Sequence, residues 1–85
     1  MARRIFRTAD TPAGHLAPES LHLRVRAALE DMQADGLAVR FDPLAIEMGQ
    51  DQLGDWAAVD LEWPDGARTG QALPYIQRRH VRVDD

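Results

Sequence analysis

The chain has no cysteine, no lysine and no asparagine, and its 85 residues include a single serine. The missing cysteine excludes disulfides, thiol catalysis, iron–sulfur clusters and zinc ribbons. It also leaves a small chain without a covalent or metal staple, so a marginal core has to pack well or be helped by self-association. The missing lysine makes all ten basic residues arginine, a planar and permanently charged fork. With Ala, Arg, Gly and Asp plentiful, this bias fits GC-rich coding DNA of the kind found in many bacteria and their phages.

Long apolar runs are missing too. No stretch approaches the ~18 residues of a membrane span. The basic opening around Arg3 and Arg4 runs into Thr8, Asp10, Thr11 and Pro12, not into the apolar stretch of a secretory signal. Ala2 in place of glycine excludes myristoylation. No membrane contact and a cytoplasmic location are therefore expected. Apolar residues make up 45% and charged residues 28%, which argues for a globular chain and against disorder throughout. At this length one domain over residues 1–85 is expected.

Along the chain, Arg4-Ile5-Phe6-Arg7 alternates and reads as an edge strand or a loose arm. Residues 9–18 hold Pro12, Gly14 and Pro18 among small side chains and read as a loop, so residues 1–17 form an arm and loop. Residues 18–35 carry Leu21, Val25, Ala28, Leu29 and Met32 at helical spacing, which predicts an amphipathic helix. Pro18 suits its first turn, Glu19 lies near the positive end of its dipole, and Gly36 suits its stop. Residues 21–26 also alternate with period two, but the longer stripe through Met32 favours the helix.

Beyond Gly36 the period changes to two over residues 37–83. Leu37, Val39 and Phe41 predict one strand, and Leu44, Ile46 and Met48 a second after a turn or bulge at Asp42-Pro43. Residues 49–55 are polar and read as a loop. Residues 56–63 predict a third strand, with Ala57, Val59, Leu61 and Trp63 on one face and Asp60 and Glu62 on the other. Pro64-Asp65-Gly66 is a turn signal. Residues 68–73 predict a fourth strand, residues 74–79 a single helical turn, and Val81-Arg82-Val83 a closing strand. Blocks of helix then strand argue for an α+β fold: one N-terminal amphipathic helix on a small, mostly antiparallel sheet of four to five strands.

Within residues 37–83 this order loosely resembles an SH3-like barrel. The resemblance rests on Gly54-Asp55-Trp56 before a strand, a turn near Gly66, and Pro74-Tyr75-Ile76 before the last strand. It covers about half the chain and implies topology alone. One tryptophan stands where that family often has an adjacent pair, and Pro74 and Tyr75 are adjacent, so its peptide-binding function is not transferred.

Catalysis needs a nucleophile or acid–base pair held by a third group. Ser20 is placed for hydrogen bonding at the helix start. His15, His22 and His80 are far apart and lack metal-ligand spacing. The segment from Gly66 to Gly70 lacks the lysine of a phosphate-binding loop. Asp60 and Glu62 share a strand face, as solvated carboxylates also do. No enzyme activity, no metal and no cofactor are expected.

The charge map is uneven. Between residues 42 and 65 stand Asp42, Glu47, Asp51, Asp55, Asp60, Glu62 and Asp65 without an arginine, while Arg3, Arg4, Arg7 and Arg78, Arg79, Arg82 mark the two ends. The net charge of −4 is the sum of these opposed blocks. Either the blocks pair across the sheet, or they face outward and steer a charged partner. Trp56 and Trp63, seven residues apart, fall on opposite strand faces, so one can be core while the other anchors an interface or is packed as well. The expected function is a non-enzymatic protein-interaction module, a small bacterial or phage regulator or inhibitor. Asp51, Asp55, Trp56, Asp60 and Glu62 would meet a basic protein surface. The alternatives are a nucleic-acid-binding domain using Arg4, Arg7, Arg78, Arg79 and Arg82, and a structural subunit of a larger assembly.

Overall fold

A computed structural model describes residues 2–9, 20–63 and 70–84. Its elements follow in the order β1 (Ala2–Thr8), α1 (Leu21–Ala34), β2 (Arg40–Phe41), β3 (Glu47–Asp51), β4 (Gly54–Glu62), α2 (Leu73–Arg78) and β5 (Val81–Val83). The fold is α+β, with a five-stranded sheet in which every pairing is antiparallel.

β1 is an inner strand, flanked by β4 and β5. On its other side β4 carries both β2 and β3. Phe41 opposes Leu61 and Glu47 opposes Ala58, so residues 42–46 bulge out against only Val59 and Asp60. β2 and β3 are thus one edge strand interrupted by a turn. The Asp42 carboxylate accepts from the Leu44 amide at 2.9 Å and its carbonyl from the Ala45 amide at 3.0 Å, which holds that turn. Counted this way the connectivity is β-α-β-β-α-β, with sheet order β2/β3, β4, β1, β5. That is the split βαβ arrangement.

The core lies between one face of the sheet and the helices. The predicted stripe of α1, Leu21, Val25, Ala28, Leu29 and Met32, is buried. It meets Phe6, Ala57, Val59, Leu61, Val81 and, from α2, Ile76. Each fully buried Leu, Val or Met contributes roughly 1.5–3 kcal/mol through apolar area removed from water. Trp63 belongs to this layer and stands edge-on to Phe6, ring centroids 6.2 Å apart. As expected, Ala57, Val59, Leu61 and Trp63 share the inner face.

The helix begins at Leu21, with Ser20 as N-cap accepting from the Leu23 amide at 3.3 Å. It ends in a Schellman motif. The Gly36 amide donates to the Gln33 carbonyl and the Leu37 amide to the Met32 carbonyl, both at 3.0 Å. Gly36 sits at φ +88°, a conformation few side chains tolerate.

Several expectations are corrected. Among the described residues a strand over 2–8 precedes the helix, and that strand is neither an edge nor a loose arm. The SH3-like arrangement is not confirmed: among the described residues β1 lies between β4 and β5 in a sheet with helices on one face. The strand expected from Leu37 starts only at Arg40, since Leu37 closes the helix cap and the Val39 amide turns back to the Leu37 carbonyl. The second strand shifts to Glu47–Asp51, and most of the presumed loop over 49–55 is a tight hairpin. The polar composition that suggested a loop belongs to an exposed edge strand. Of the strand expected over 68–73, Gly70 to Ala72 form a turn and Leu73 opens α2, with Pro74 in its first turn. The turn at Pro64-Asp65-Gly66, Pro18, Glu19 and the loop over 10–18 lie outside the described residues. β5 and the short α2 fall where expected.

Candidate interaction surface on the sheet

Strand alternation sends every second side chain to the face opposite the helices. Register places Arg3 opposite Asp60, Ile5 opposite Ala58 and Arg7 opposite Trp56 on β1 and β4. On β4 and β3, Ala58 opposes Glu47, Trp56 opposes Gly49 and Gly54 opposes Asp51. All of these lie on the helix-free face.

Two arginines of β1 reach across β4 to acids of β3. Arg3 Nη2 donates to Glu47 Oε2 at 2.9 Å. Arg7 holds Asp51 with both terminal nitrogens, Nη1 to Oδ1 at 2.9 Å and Nη2 to Oδ2 at 2.6 Å. Its Nε donates to Asp84, just beyond β5, and Nη1 also points to the Gly54 carbonyl. The crossing is possible because β4 presents only Gly54 and Ala58 at these points beside Trp56. Arg7 ends up 8% exposed, enclosed by its partners.

The electrostatics follow from these contacts. The hydrogen bonds that Arg7 donates to Asp51 and Asp84 stabilise its cation and raise its pKa. The same bond from Arg7 is the main reason the Asp51 carboxyl is held below the usual carboxylate value, against the opposing effect of burial. Arg3 is raised by Glu47 in the same way. On the helix side, Arg79 donates to Asp31 and the Tyr75 hydroxyl to Asp35 at 2.7 Å, tying α2 to α1. The bond to Asp35 pushes the Tyr75 phenol up.

The five acidic-face residues are not equivalent. Asp51 is engaged with Arg7. Trp56 is half-buried, its ring lying directly over Gly49. Asp60 and Glu62 are exposed on the helix-free face, opposite Arg3 and Arg40. Asp55 has the other strand parity, opposes Gln50 and accepts from its side-chain amide at 3.1 Å. Trp56, Asp60 and Glu62 therefore share a face that Asp55 does not.

The five arginines of the nucleic-acid alternative are dispersed. Arg7 is enclosed by carboxylates, while Arg4 alternates to the helix side. Arg79 pairs with Asp31, and Arg78 lies 5.4 Å above the Tyr75 ring centroid. Arg82 is exposed beside Arg7.

Sequence reasoning missed Glu47, Asp84 and Arg3 as members of this lattice. It also missed an exposed apolar group: Leu44 at 91%, Leu53 at 75% and Met48 at 45%, all on the β2/β3 edge or its hairpin. A detectable signal was the repeated spacing. Arg3 and Arg7 are four apart, as are Glu47 and Asp51, and both ion pairs span 44 residues.

Ser20, the only serine, is used as a helix cap. Among the described residues no three His, Asp or Glu side chains stand where they could share a metal ion, and no helix is long and apolar enough to cross a membrane. Comparisons with protein-family models, with curated proteins and with solved structures found no match.

Proposed function

We propose that this chain is a non-enzymatic protein-interaction module, a small regulator or inhibitor that meets a basic surface of another protein. The observation that carries the reading is the composition of residues 42–55. This stretch has four acids and no arginine, and it exposes Leu44, Met48 and Leu53 along its length. Apolar side chains set among carboxylates give an interface both buried area and a charge preference. Asp60 and Glu62, opposite Arg3 and Arg40, add exposed carboxylates on the helix-free face of β4, where Trp56 supplies a half-exposed aromatic edge.

The dispersal of the arginines supports an acidic rather than a phosphate-binding surface. On β1, Arg3 and Arg7 are already bonded to Glu47 and Asp51. The experiment is capture with two baits, the wild type and an Asp55→Arg/Asp60→Arg double variant, from extracts of the source cell. A partner retained by the wild type and lost by the double variant supports the reading. A partner retained equally by both removes Asp55 and Asp60 from the contact surface and sinks it.

A further inference from the structure

We infer that the free edge of β3 is a strand-docking site, and that its occupant is an extended basic segment of the partner protein. The inference rests on the protein-interaction reading and gives it a mode of contact. Among the described residues, β3 pairs only with β4. Alternate residues of an edge strand turn their amide and carbonyl outward with no partner, which is a template for one more strand. The opposite edge, β5, offers only three residues.

Edges are commonly defended by lysine, proline, an inward-pointing charge or a bulge. β3 has no lysine and no proline along Glu47–Asp51. Pro43 and the bulge lie upstream of it. Its two charged side chains are drawn back over the sheet by Arg3 and Arg7, which leaves the backbone edge open. Met48, 45% exposed, offers an apolar contact to an added strand, and Leu44 and Leu53 flank the two ends.

Charge selects the occupant. Despite their ion pairs, the Glu47 side chain stays 63% exposed and that of Asp51 43% exposed. Asp51 accepts two bonds from Arg7 and one from the Leu53 amide at 2.9 Å, and Glu47 one from Arg3, fewer than the roughly four lone-pair sites of a carboxylate, so both keep acceptor capacity beside the edge. They stand four residues apart, about 13 Å at the rise of a strand, on the same face. Arginine or lysine side chains at matching positions of an added strand would meet them. A second copy of this chain fits poorly. Pairing β3 with itself antiparallel about Gly49 sets Glu47 of one copy against Asp51 of the other, and directly opposed like charges destabilise a strand pair.

The test is an amide-resolved titration of the whole chain with a blocked heptapeptide alternating valine and arginine. Two controls accompany it: the same peptide N-methylated at alternate amides, and its valine–glutamate counterpart. The expected result is binding of the first peptide alone, with slowed hydrogen exchange at alternate residues of 47–51. Equal binding of the N-methylated peptide overturns strand addition, since charge is kept and backbone pairing is not. Absence of binding at millimolar peptide, shifts centred on β5 or the helices, or self-association through β3 in sedimentation also overturns it. If the peptide fails while the double variant at Asp55 and Asp60 still loses a captured partner, strand docking falls and the broader reading stands.

Discussion

Arg7 on β1 and Asp51 on β3 form a two-pronged ion pair across an intervening strand, and Arg3 and Glu47 repeat it with the same separation of 44 residues. Equal separations follow from β1 and β3 both running antiparallel to β4, hence parallel to each other. The two pairs differ in setting. Arg7 is enclosed and also bonded to Asp84, whereas Arg3 and Glu47 are half-exposed or more. Removing an enclosed guanidinium leaves two carboxylates without their donor, while an exposed pair is screened by solvent. Arg7→Met should therefore lower the midpoint of urea unfolding clearly, and Arg3→Met should leave it close to wild type. Equal effects would contradict the enclosed role of Arg7.

Stability should fall on acidification. The bond from Arg7 keeps the folded-state pKa of Asp51 below its ordinary value of 3.8. Between the two values the unfolded chain binds the proton and the folded chain does not, so stability rises with pH there. The contribution is complete above about the unfolded value and is lost as pH falls through the folded one. Asp51→Asn should flatten this acid limb of the unfolding midpoint. Tyr75 has the opposite sign. Its bond to Asp35 raises the phenol above 10.0, so its contribution is present below that pH and lost as pH rises through the folded value. Tyr75→Phe should flatten the alkaline limb only.

Gly49 is required by its neighbour. A Cβ at this position would lie 2.0 Å from Cζ2 of Trp56, with Cε2 only 2.3 Å away. The indole fills the space a side chain would take, so the glycine and the tryptophan work as one unit. Gly49→Ala should cost about 1–3 kcal/mol by overpacking. In a Trp56→Ala background the same substitution should cost little, which a double-mutant cycle by urea unfolding will show. An additive cycle would rule out this account of Gly49.

His80 holds a left-handed backbone at φ +56° where α2 hands over to β5. Its amide donates to the Gln77 carbonyl and its own carbonyl accepts from Ala9. Glycine adopts this conformation without the Cβ penalty. His80→Gly should raise stability by up to about 1 kcal/mol in thermal or urea unfolding. A loss would indicate that the exposed imidazole has a stabilising contact of its own.

Much of the helix was legible because its apolar spacing, Ser20 and Gly36 agree with one another. The inner alternation of β4, the short α2 and β5 were legible for the same reason. The edge was not. β2 buries only part of Phe41 and β3 is exposed apart from Gly49, so little hydrophobic alternation survives to mark them, and Gly49 suggested a loop when it serves Trp56. The central position of β1 is a long-range pairing with β4 and β5 that local pattern does not report. The acidic and basic blocks were visible as counts. Which acids the arginines would take depended on the parallel relation of β1 and β3, legible in the paired spacing of four only once the strand order is known.

On the proposed reading, the surface left after this internal pairing prefers a basic protein to nucleic acid. A side-by-side titration of the whole chain with an arginine-rich peptide and with duplex DNA, followed residue by residue by amide shifts at low and high salt, tests it most directly. Salt-sensitive shifts with the peptide, confined to residues 42–62, and none with DNA are expected on that reading. Shifts with DNA at Arg4, Arg78, Arg79 and Arg82, weakening as salt rises, would contradict it.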